Sequence, residues 1–431
     1  MESLESFNLS GCQKLEKFPE IRGNMESLSE VLLARTAICE LPSSIGQLSG
    51  ISLLDLQSCE NLERLPASVC EMRKLKILIL KGCSRLAIFP ENLGDLNQLE
   101  ELYAGNTAIL QLPDSVGNLS KLKILSLRNG RKVKHQYARS LILPSLFHAL
   151  RQLKSLDLSG CNLCDDQASA LKNLTSLLME LNLSRNKFIY LPDVFSRLSH
   201  LRYLNIAHCQ ELPLLPRNIE ELYVEDFLEK ESIAKLLMYP RLKLLSFTNY
   251  SFDQQSYTEE SNDSSISDEI LSLFLSNNMD DVILPSLNSD HRVTCSIVFP
   301  ERAIPKWFMH QSAEKKISFK LPINWYNDKF KDFAICCVTR MGAGVCSLDS
   351  WLSGKYDYAF INAKLICNDH LKDLKVLEKE CKVGPASRTY GQCVCFAYIP
   401  LYASLQVSGT DVGDINQYSL FEASICGCIV K

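Results

Sequence analysis

Cysteine and histidine are the residues of this chain best suited to hold a metal ion or to attack a substrate. The 431-residue sequence has 18 cysteines and 7 histidines, and one C-x-x-C pair, Cys161 with Cys164. No second pair and no nearby histidine accompanies it, as a zinc site would require. H-E-x-x-H and G-x-S-x-G motifs are absent, and no cysteine is flanked as a catalytic nucleophile is. We therefore expect no enzymatic activity, no metal and no cofactor.

A repeated leucine pattern accounts for most of the first half of the chain. The template L-x-x-L-x-L-x-x-C/N recurs mostly every 23 to 25 residues. It begins at Leu4, Leu28, Ile51, Leu75, Leu99, Leu122, Leu153, Leu178 and Leu201, with degenerate copies at Ile219 and Leu242. Such a period is typical of leucine-rich repeats, in which each copy forms a short strand whose leucines point inward. One copy cannot bury its own apolar face, so the copies must stack into a solenoid with parallel strands.

Two other features of the repeats have structural consequences. Most copies continue to a Leu-Pro or Phe-Pro pair, which suits an irregular return segment that does not become an α-helix. The last template position lies in the turn after the strand, where the backbone bends. A small buried side chain that can donate a weak hydrogen bond fits there. We therefore expect cysteines at this position to be reduced and to be alkylated slowly. Cysteine fills it at Cys12, Cys59, Cys83, Cys161 and Cys209, and Asn186 fills it once.

Two segments interrupt the pattern. The copy at Leu122 runs 31 residues to the next and carries basic residues from Arg128 to Arg139. This insertion is either a solvated loop or part of a binding face. Residues 251–291 form an acidic connector, rich in Ser, Asp and Glu, with one short helix expected around Ile270 to Leu275.

Residues 292–431 change to the alternating pattern of β-strands. Predicted strands cover residues 293–299, 316–321, 332–338, 358–367, 392–399 and 421–430. Several short strands separated by loops indicate a β-sandwich. The expected organisation is therefore an α/β leucine-rich-repeat solenoid over residues 1–250, the connector over 251–291, and an all-β domain over 292–431.

The segment IVFPERAIPKWFMHQS at 297–312, followed by ISFKLPINWYN at 317–327, resembles a known domain. It is similar to the domain that follows the repeats in plant TIR-type nucleotide-binding leucine-rich-repeat immune receptors. The repeat cadence T-A-I-x-x-L-P-x-S-I is similar to theirs as well. The resemblance implies a jelly-roll, immunoglobulin-like fold for residues 292–431. It also implies recognition of pathogen effector proteins by the concave repeat face together with loops of this domain.

The sequence departs from complete receptors of that family in two ways. It has no G-x-x-x-x-G-K-[ST] phosphate loop and no segment that a TIR domain could occupy. The nucleotide switch and NAD cleavage of complete receptors are therefore not expected here. Met1-Glu-Ser-Leu4 recurs almost verbatim as Met25-Glu-Ser-Leu28, so Met1 stands where an internal repeat methionine would. The chain is then either the carboxyl-terminal part of a longer receptor or a truncated paralogue that acts as a decoy or adaptor.

The net charge and the distribution of apolar residues determine where in the cell we expect this protein and which partners we expect it to bind. The net charge of −4 gives no reason to expect nucleic acid or an anionic membrane as partner. No secretory signal or membrane-spanning apolar run is visible, so we expect a cytoplasmic or nuclear protein. The expected partners are an effector protein and other domains or protomers of an immune receptor.

Residues between the last two leucines of each strand should face the partner. Leu32, Ile79 and Tyr103 are apolar or aromatic at this position, so the face is either an exposed interface patch or a merely solvated strand face. A flanking, mainly basic set could attract an acidic partner. The candidate partner-binding residues are Leu32, Arg35, Asp55, Ile79, Lys81, Tyr103, Arg128, Asp157, Asn182, Arg185, Asn205 and His208.

Overall fold

The computed structural model describes most of the repeat region, and the remainder mainly through its strands. The described residues are 4–23, 25–129, 140–143, 147–172, 174–189, 193–207, 215–225, 236, 239, 241–242 and 244–248, and then seven strands between 295 and 426. The chain divides into two compact units, Met1–Ile219 and Glu220–Lys431. This division precedes the expected boundary at residue 250. The predicted connector at 251–291 lies outside the described residues.

Short parallel strands form the sheet of the first unit. Each strand pairs with the next without an offset, so that residues at the same template position lie side by side. This arrangement confirms the leucine-rich-repeat solenoid. The strands are β1 (Ser6–Asn8), β2 (Glu30–Leu32), β3 (Leu53–Asp55), β4 (Ile77–Ile79), β5 (Glu101–Tyr103), β6 (Ile124–Ser126), β7 (Ser155–Asp157), β8 (Glu180–Asn182) and β9 (Tyr203–Asn205).

The template leucines build the core. In the copy that contains β4, the three template leucines Leu75, Leu78 and Leu80 are each 0% exposed. A three-residue strand cannot exclude water alone, so each copy depends on the copies stacked on both sides of it. Replacing one of these leucines by alanine should cost about 2–5 kcal/mol of unfolding free energy.

The return segments form 3-10 helices after their prolines. Pro42, Pro66 and Pro113 hold φ near −67°, −67° and −66° immediately before three of them. The copy that begins at Leu153 has no Leu-Pro pair, and its return segment contains the α-helix α1 (Asp165–Leu171). Proline therefore separates the two kinds of return segment. The 3-10 helices span Ser43–Gln47, Ala67–Glu71, Leu93–Asp95, Asp114–Asn118, Phe147–Ala149 and Asp193–Arg197.

A left-handed residue turns the chain away from most strands. It stands three residues after the strand ends, and glycine is the residue type that adopts this conformation without steric cost. The position holds Gly11, Gly82 and Gly160 with φ of 83°, 83° and 67°, and Arg35, Ser58, Asn106 and Arg185 with φ of 58°, 58°, 57° and 61°.

The second unit is described through two groups of strands. In the first group, β10 and β11 pair in parallel, as do β11 and β12, while β17 pairs antiparallel with β12 and β14. The second group is antiparallel, in the order β13-β18-β15-β16. The strands are β10 (Glu221–Glu225), β11 (Leu244–Thr248), β12 (Cys295–Phe299), β13 (Lys316–Lys320), β14 (Asp332–Met341), β15 (Tyr358–Ile366), β16 (Val376–Pro385), β17 (Gly391–Pro400) and β18 (Leu420–Cys426).

The six strands predicted after residue 292 overlap β12, β13, β14, β15, β17 and β18, whereas β16 was not predicted. The parallel pairing of β10, β11 and β12 explains why the division of the chain falls before the last two degenerate repeats. The jelly-roll or immunoglobulin-like arrangement of this domain stays a prediction.

Candidate partner-binding surface

The first and third residues of each strand lie on the face opposite the buried middle residue, because side chains alternate along a strand. We call these residues of β2 to β9 the concave surface. Its first row is Glu30, Leu53, Ile77, Glu101, Ile124, Ser155, Glu180 and Tyr203. Its third row is Leu32, Asp55, Ile79, Tyr103, Ser126, Asp157, Asn182 and Asn205.

Ile79 and Tyr103 are not exposed as the sequence analysis expected. Each is 2% exposed, whereas Leu32 is half-buried. Neighbouring parallel strands lie about 4.8 Å apart, so long side chains in one row shield each other. The Tyr103 hydroxyl also donates a hydrogen bond to the Glu101 carboxylate at 2.8 Å. The expected exposed patch centred on these two residues is therefore wrong, and Tyr103 contributes to stability.

The Asp and Asn residues of the third row support the turn after each strand. A side-chain oxygen of Asp55, Asp157, Asn182 and Asn205 accepts the backbone N–H two residues later, at 2.8, 3.0, 3.1 and 3.2 Å. This Asx turn is a common local role for these residue types. Their presence in the candidate set therefore has a structural explanation, and their role in partner binding stays a prediction.

Three half-buried aliphatic residues lie in the first row, which the sequence analysis did not consider, and a fourth, Leu32, lies in the third row. Leu53 and Ile77 are paired in register on β3 and β4, and Leu32 and Ile124 lie on β2 and β6. All four are half-buried. We call these four residues the aliphatic strip. The same period-two rule that predicts the third row could have found Leu53, Ile77 and Ile124, since each first-row residue immediately precedes the buried middle residue of its strand.

Basic residues follow the strands at their carboxyl-terminal edge. Arg35 is exposed, while Lys81, Arg128 and Arg185 are half-buried. Burial, and then the charge of Arg128, lowers the pKa of the Arg185 guanidinium. His208, the remaining predicted edge residue, lies outside the described residues.

Burial also changes the ionisation of two concave residues. It raises the pKa of the Asp55 carboxyl, an effect opposed by the hydrogen bond from the Gln57 backbone. It raises the pKa of the Tyr103 phenol as well, and the hydrogen bond to Glu101 raises it further. The tyrosine therefore remains a neutral donor to a carboxylate.

Three turn cysteines have the packing role expected of them. The thiols of Cys59, Cys83 and Cys161 donate to carbonyl oxygens of the preceding copy at 3.1, 3.0 and 3.3 Å, and all three residues are buried. Burial raises the pKa of each thiol, which disfavours the reactive thiolate. Asn186 fills the same position, and its side-chain amide nitrogen donates hydrogen bonds to the carbonyl oxygens of Leu158 and Leu183 at 2.9 and 2.8 Å.

Two other turn cysteines differ from that group. Cys12 is exposed, so the expectation that it is shielded from alkylation is wrong, because the first copy has no preceding copy in the described residues to cover it. Cys209 lies outside the described residues. Cys164, the partner of Cys161 in the C-x-x-C pair, lies 3.1 Å from the Gln167 side-chain oxygen.

The described residues bear on two remaining sequence expectations, metal binding and membrane insertion. They contain no group of three or more His, Cys, Asp or Glu side chains arranged to hold a metal ion. In the same part of the chain, no helix has the length and apolar character needed to span a bilayer.

Comparison with known proteins bears on both halves of the chain. A family model described as a leucine-rich repeat region matches residues 3–213, and the C-JID domain model matches residues 299–431. TMV resistance protein N of Nicotiana glutinosa is 35% identical over 346 residues, which is 78% of this chain and 29% of that protein. The chain belongs to the plant TIR-type disease-resistance proteins.

Other resistance proteins match over similar lengths. Disease resistance-like protein DSC1 of Arabidopsis thaliana is 30% identical over 73% of this chain and 25% of its own length. The chain therefore spans less than a third of the resistance proteins it matches, and corresponds to their carboxyl-terminal region. Among solved structures, a leucine-rich-repeat protein of Leptospira interrogans has a TM-score of 0.43 and 26% identity, over 54% of this chain and 58% of that one.

Proposed function

We propose that this chain is the recognition region of a plant intracellular immune receptor and binds pathogen effector proteins in the cytoplasm. Its relatives are disease-resistance proteins, and the match includes both the repeats and the C-JID domain. In this proposal the concave surface of the repeats and the C-JID domain contact the effector together. The chain itself supplies binding and no chemistry.

The aliphatic strip is the observation that carries this proposal. Leu32, Leu53, Ile77 and Ile124 keep part of their apolar surface in solvent on the face opposite the core. Half-exposed aliphatic side chains grouped on one face are typical of protein interfaces. The regular spacing of parallel strands holds them on a rigid support, which reduces the entropy lost when a partner binds.

The aliphatic strip can be tested with a pair of matched variants. Ile77→Glu places a charge on the strip, while Ile88→Glu places the same charge on a residue that is 68% exposed and lies in a return segment. Each change substitutes a partly exposed side chain, so both variants should fold. The tagged chain is co-expressed in leaves with a panel of effectors, and co-purification is measured.

We expect one effector to co-purify with the wild-type chain and with Ile88→Glu, and to be lost with Ile77→Glu. A buried charge opposite an apolar partner surface should weaken binding by more than about 2 kcal/mol. If the Ile77→Glu variant still retains the effector, the concave surface does not bind it and that part of the proposal is wrong. If the wild-type chain captures no effector from the panel, the recognition function itself fails.

A further inference from the structure

A row of charged residues borders the concave surface where its strands begin. The residue immediately before the strand is Lys76 at β4, Glu100 at β5, Lys123 at β6 and Lys154 at β7. The backbone N–H of each of the last three donates to the carbonyl oxygen of the residue before it in this row, at 2.8, 2.7 and 2.8 Å. The four residues are therefore direct neighbours on consecutive copies.

The position two residues before this row adds further lysines. The two positions together hold five lysines and one carboxylate, that of Glu100, on the four copies that contain β4 to β7. On the copies that contain β2, β3 and β8, the same two positions hold no charged residue. All the lysines are exposed except Lys123, which is half-buried. We call them the lysine edge: Lys74, Lys76, Lys121, Lys123 and Lys154.

Most of the charge of the lysine edge is not neutralised. Lys123 forms an ion pair with Glu100 at 2.5 Å, and Lys121 donates to the side-chain oxygen of Gln98 at 2.6 Å. Lys74, Lys76 and Lys154 form no ion pair with any residue that the structure describes. The pKa of the Glu100 carboxyl is lowered, first by the hydrogen bond from Lys123 and further by the charges of Lys123, Lys76 and Lys121. A single carboxylate therefore lies in the field of several lysines.

The solenoid does not need these lysines in order to fold. Lys123 and Lys154 are adjacent in the row, and like charges on neighbouring strands repel each other. The copies that contain β2, β3 and β8 form the same three-residue strands with uncharged residues at both positions. The positive charge on four consecutive copies therefore indicates a partner, although the whole chain has a net charge of −4.

The lysine edge is continuous with the aliphatic strip. Lys76 directly precedes Ile77, and Lys123 directly precedes Ile124. A nucleic acid would bring phosphates but no aliphatic groups to this surface, and its phosphates would meet the carboxylates of Glu100 and Glu101. A protein segment can present carboxylates and apolar side chains together, so a protein fits this combination better.

We propose that the lysine edge and the aliphatic strip together bind a segment of the partner protein that carries acidic residues beside apolar ones. This inference rests on the proposed function, because the segment belongs to the effector that the concave surface recognises. The apolar side chains of the segment cover Ile77 and Ile124, and its carboxylates lie beside Lys76 and Lys154. Charges at the border of an interface mainly speed association and select the partner.

The test uses the full chain and a fluorescein-labelled twelve-residue peptide that repeats Glu-Leu, with binding measured by fluorescence anisotropy. A peptide of the same length that repeats Glu-Ser keeps the charge and lacks the apolar side chains. A thymidine oligonucleotide of the same length presents phosphates instead. Lys76→Gln combined with Lys154→Gln removes two charges from the lysine edge. Lys14→Gln combined with Lys17→Gln is the matched control, because it removes the same charge from two exposed lysines of the first copy.

We expect the Glu-Leu peptide to bind the wild-type chain about fivefold more tightly than the Glu-Ser peptide or the oligonucleotide. The change of Lys76 and Lys154 should weaken this binding about fivefold, the scale of two exposed ion pairs, and the control change by less than about twofold. Equal losses in the two variants would reduce the effect to net charge and overturn the proposal.

Three other results would also overturn it. These are the absence of peptide binding, equal binding of the Glu-Ser peptide, and tighter binding of the oligonucleotide, which would assign the lysine edge to nucleic acid. None of these outcomes alters the Ile77→Glu comparison with captured effectors, which tests the proposed function separately.

Discussion

Tyr103 illustrates how one side chain on the concave surface can serve structure rather than binding alone. The sequence places an aromatic residue where solvent would favour a polar one, which is typical of an interface anchor. In the structure the ring is 2% exposed and its hydroxyl donates to Glu101 at 2.8 Å. A residue so placed stabilises the repeats whether or not a partner is present.

Replacing Tyr103 should therefore lower stability. Tyr103→Ala removes a buried ring and should cost about 3–5 kcal/mol of unfolding free energy, as other buried aromatics do. Tyr103→Phe keeps the ring, loses the hydrogen bond to Glu101 and should cost about 1 kcal/mol. Urea unfolding followed by circular dichroism measures both. An unchanged midpoint for Tyr103→Ala would mean that the ring is exposed in solution, as the sequence alone suggested.

At the scale of repeats and strands, the leucine period predicted most elements of the first unit, because the template leucines must be buried and their burial dictates the structure of each copy. Inward leucines, proline-led return segments and turn cysteines each follow from a local rule, and Cys59, Cys83 and Cys161 match it. Mutual shielding of Ile79 and Tyr103 could not be predicted, because it depends on how side chains of neighbouring copies fill the same face. Strand β16 was missed because it alternates Glu and Lys at the edge of its sheet, where charged residues are common.

The turns after the strands allow a test of stacking itself. Gly160 has a φ of 67°, and a Cβ there would lie 2.0 Å from the Asn129 carbonyl oxygen. Gly160→Ala should therefore destabilise the repeats by more than about 1 kcal/mol, since the backbone of one copy must move away from the other.

Gly23→Ala is the matched control for that variant. A Cβ at Gly23 meets nothing within 4 Å, and its backbone is not left-handed. It should leave the free energy of unfolding unchanged or raise it by about 0.4–1 kcal/mol, because alanine restricts the unfolded chain. Equal effects of the two changes in urea unfolding would show that the copies do not pack as closely as the structure indicates.

At the scale of the whole molecule, the chain combines two regions that belong to one family and lacks the motifs of that family's chemistry. Residues 3–213 match the repeat model and residues 299–431 match the C-JID model. The sequence contains no G-x-x-x-x-G-K-[ST] phosphate loop. The two regions are therefore proposed to act as a binding unit.

We predict that the purified chain neither binds ATP or ADP with micromolar affinity nor cleaves NAD. A phosphate loop supplies backbone N–H groups and a lysine to the phosphates, and no segment of this sequence has that pattern. Isothermal titration and a chromatographic assay of NAD loss measure the two activities. NAD loss that a point mutation in this chain abolishes would contradict the prediction.

The most direct measurement of the central claim is a hydroxyl-radical footprint of the full chain with and without the effector that it captures. The account predicts reduced oxidation of Leu53, Ile77 and Ile124, together with peptides from residues 299–431, when the effector is bound. Ile88 and Ile142, which are 68% and 55% exposed in the return segments, should be oxidised equally in both samples. Protection confined to residues 299–431, with Leu53, Ile77 and Ile124 unchanged, would contradict recognition by the concave surface.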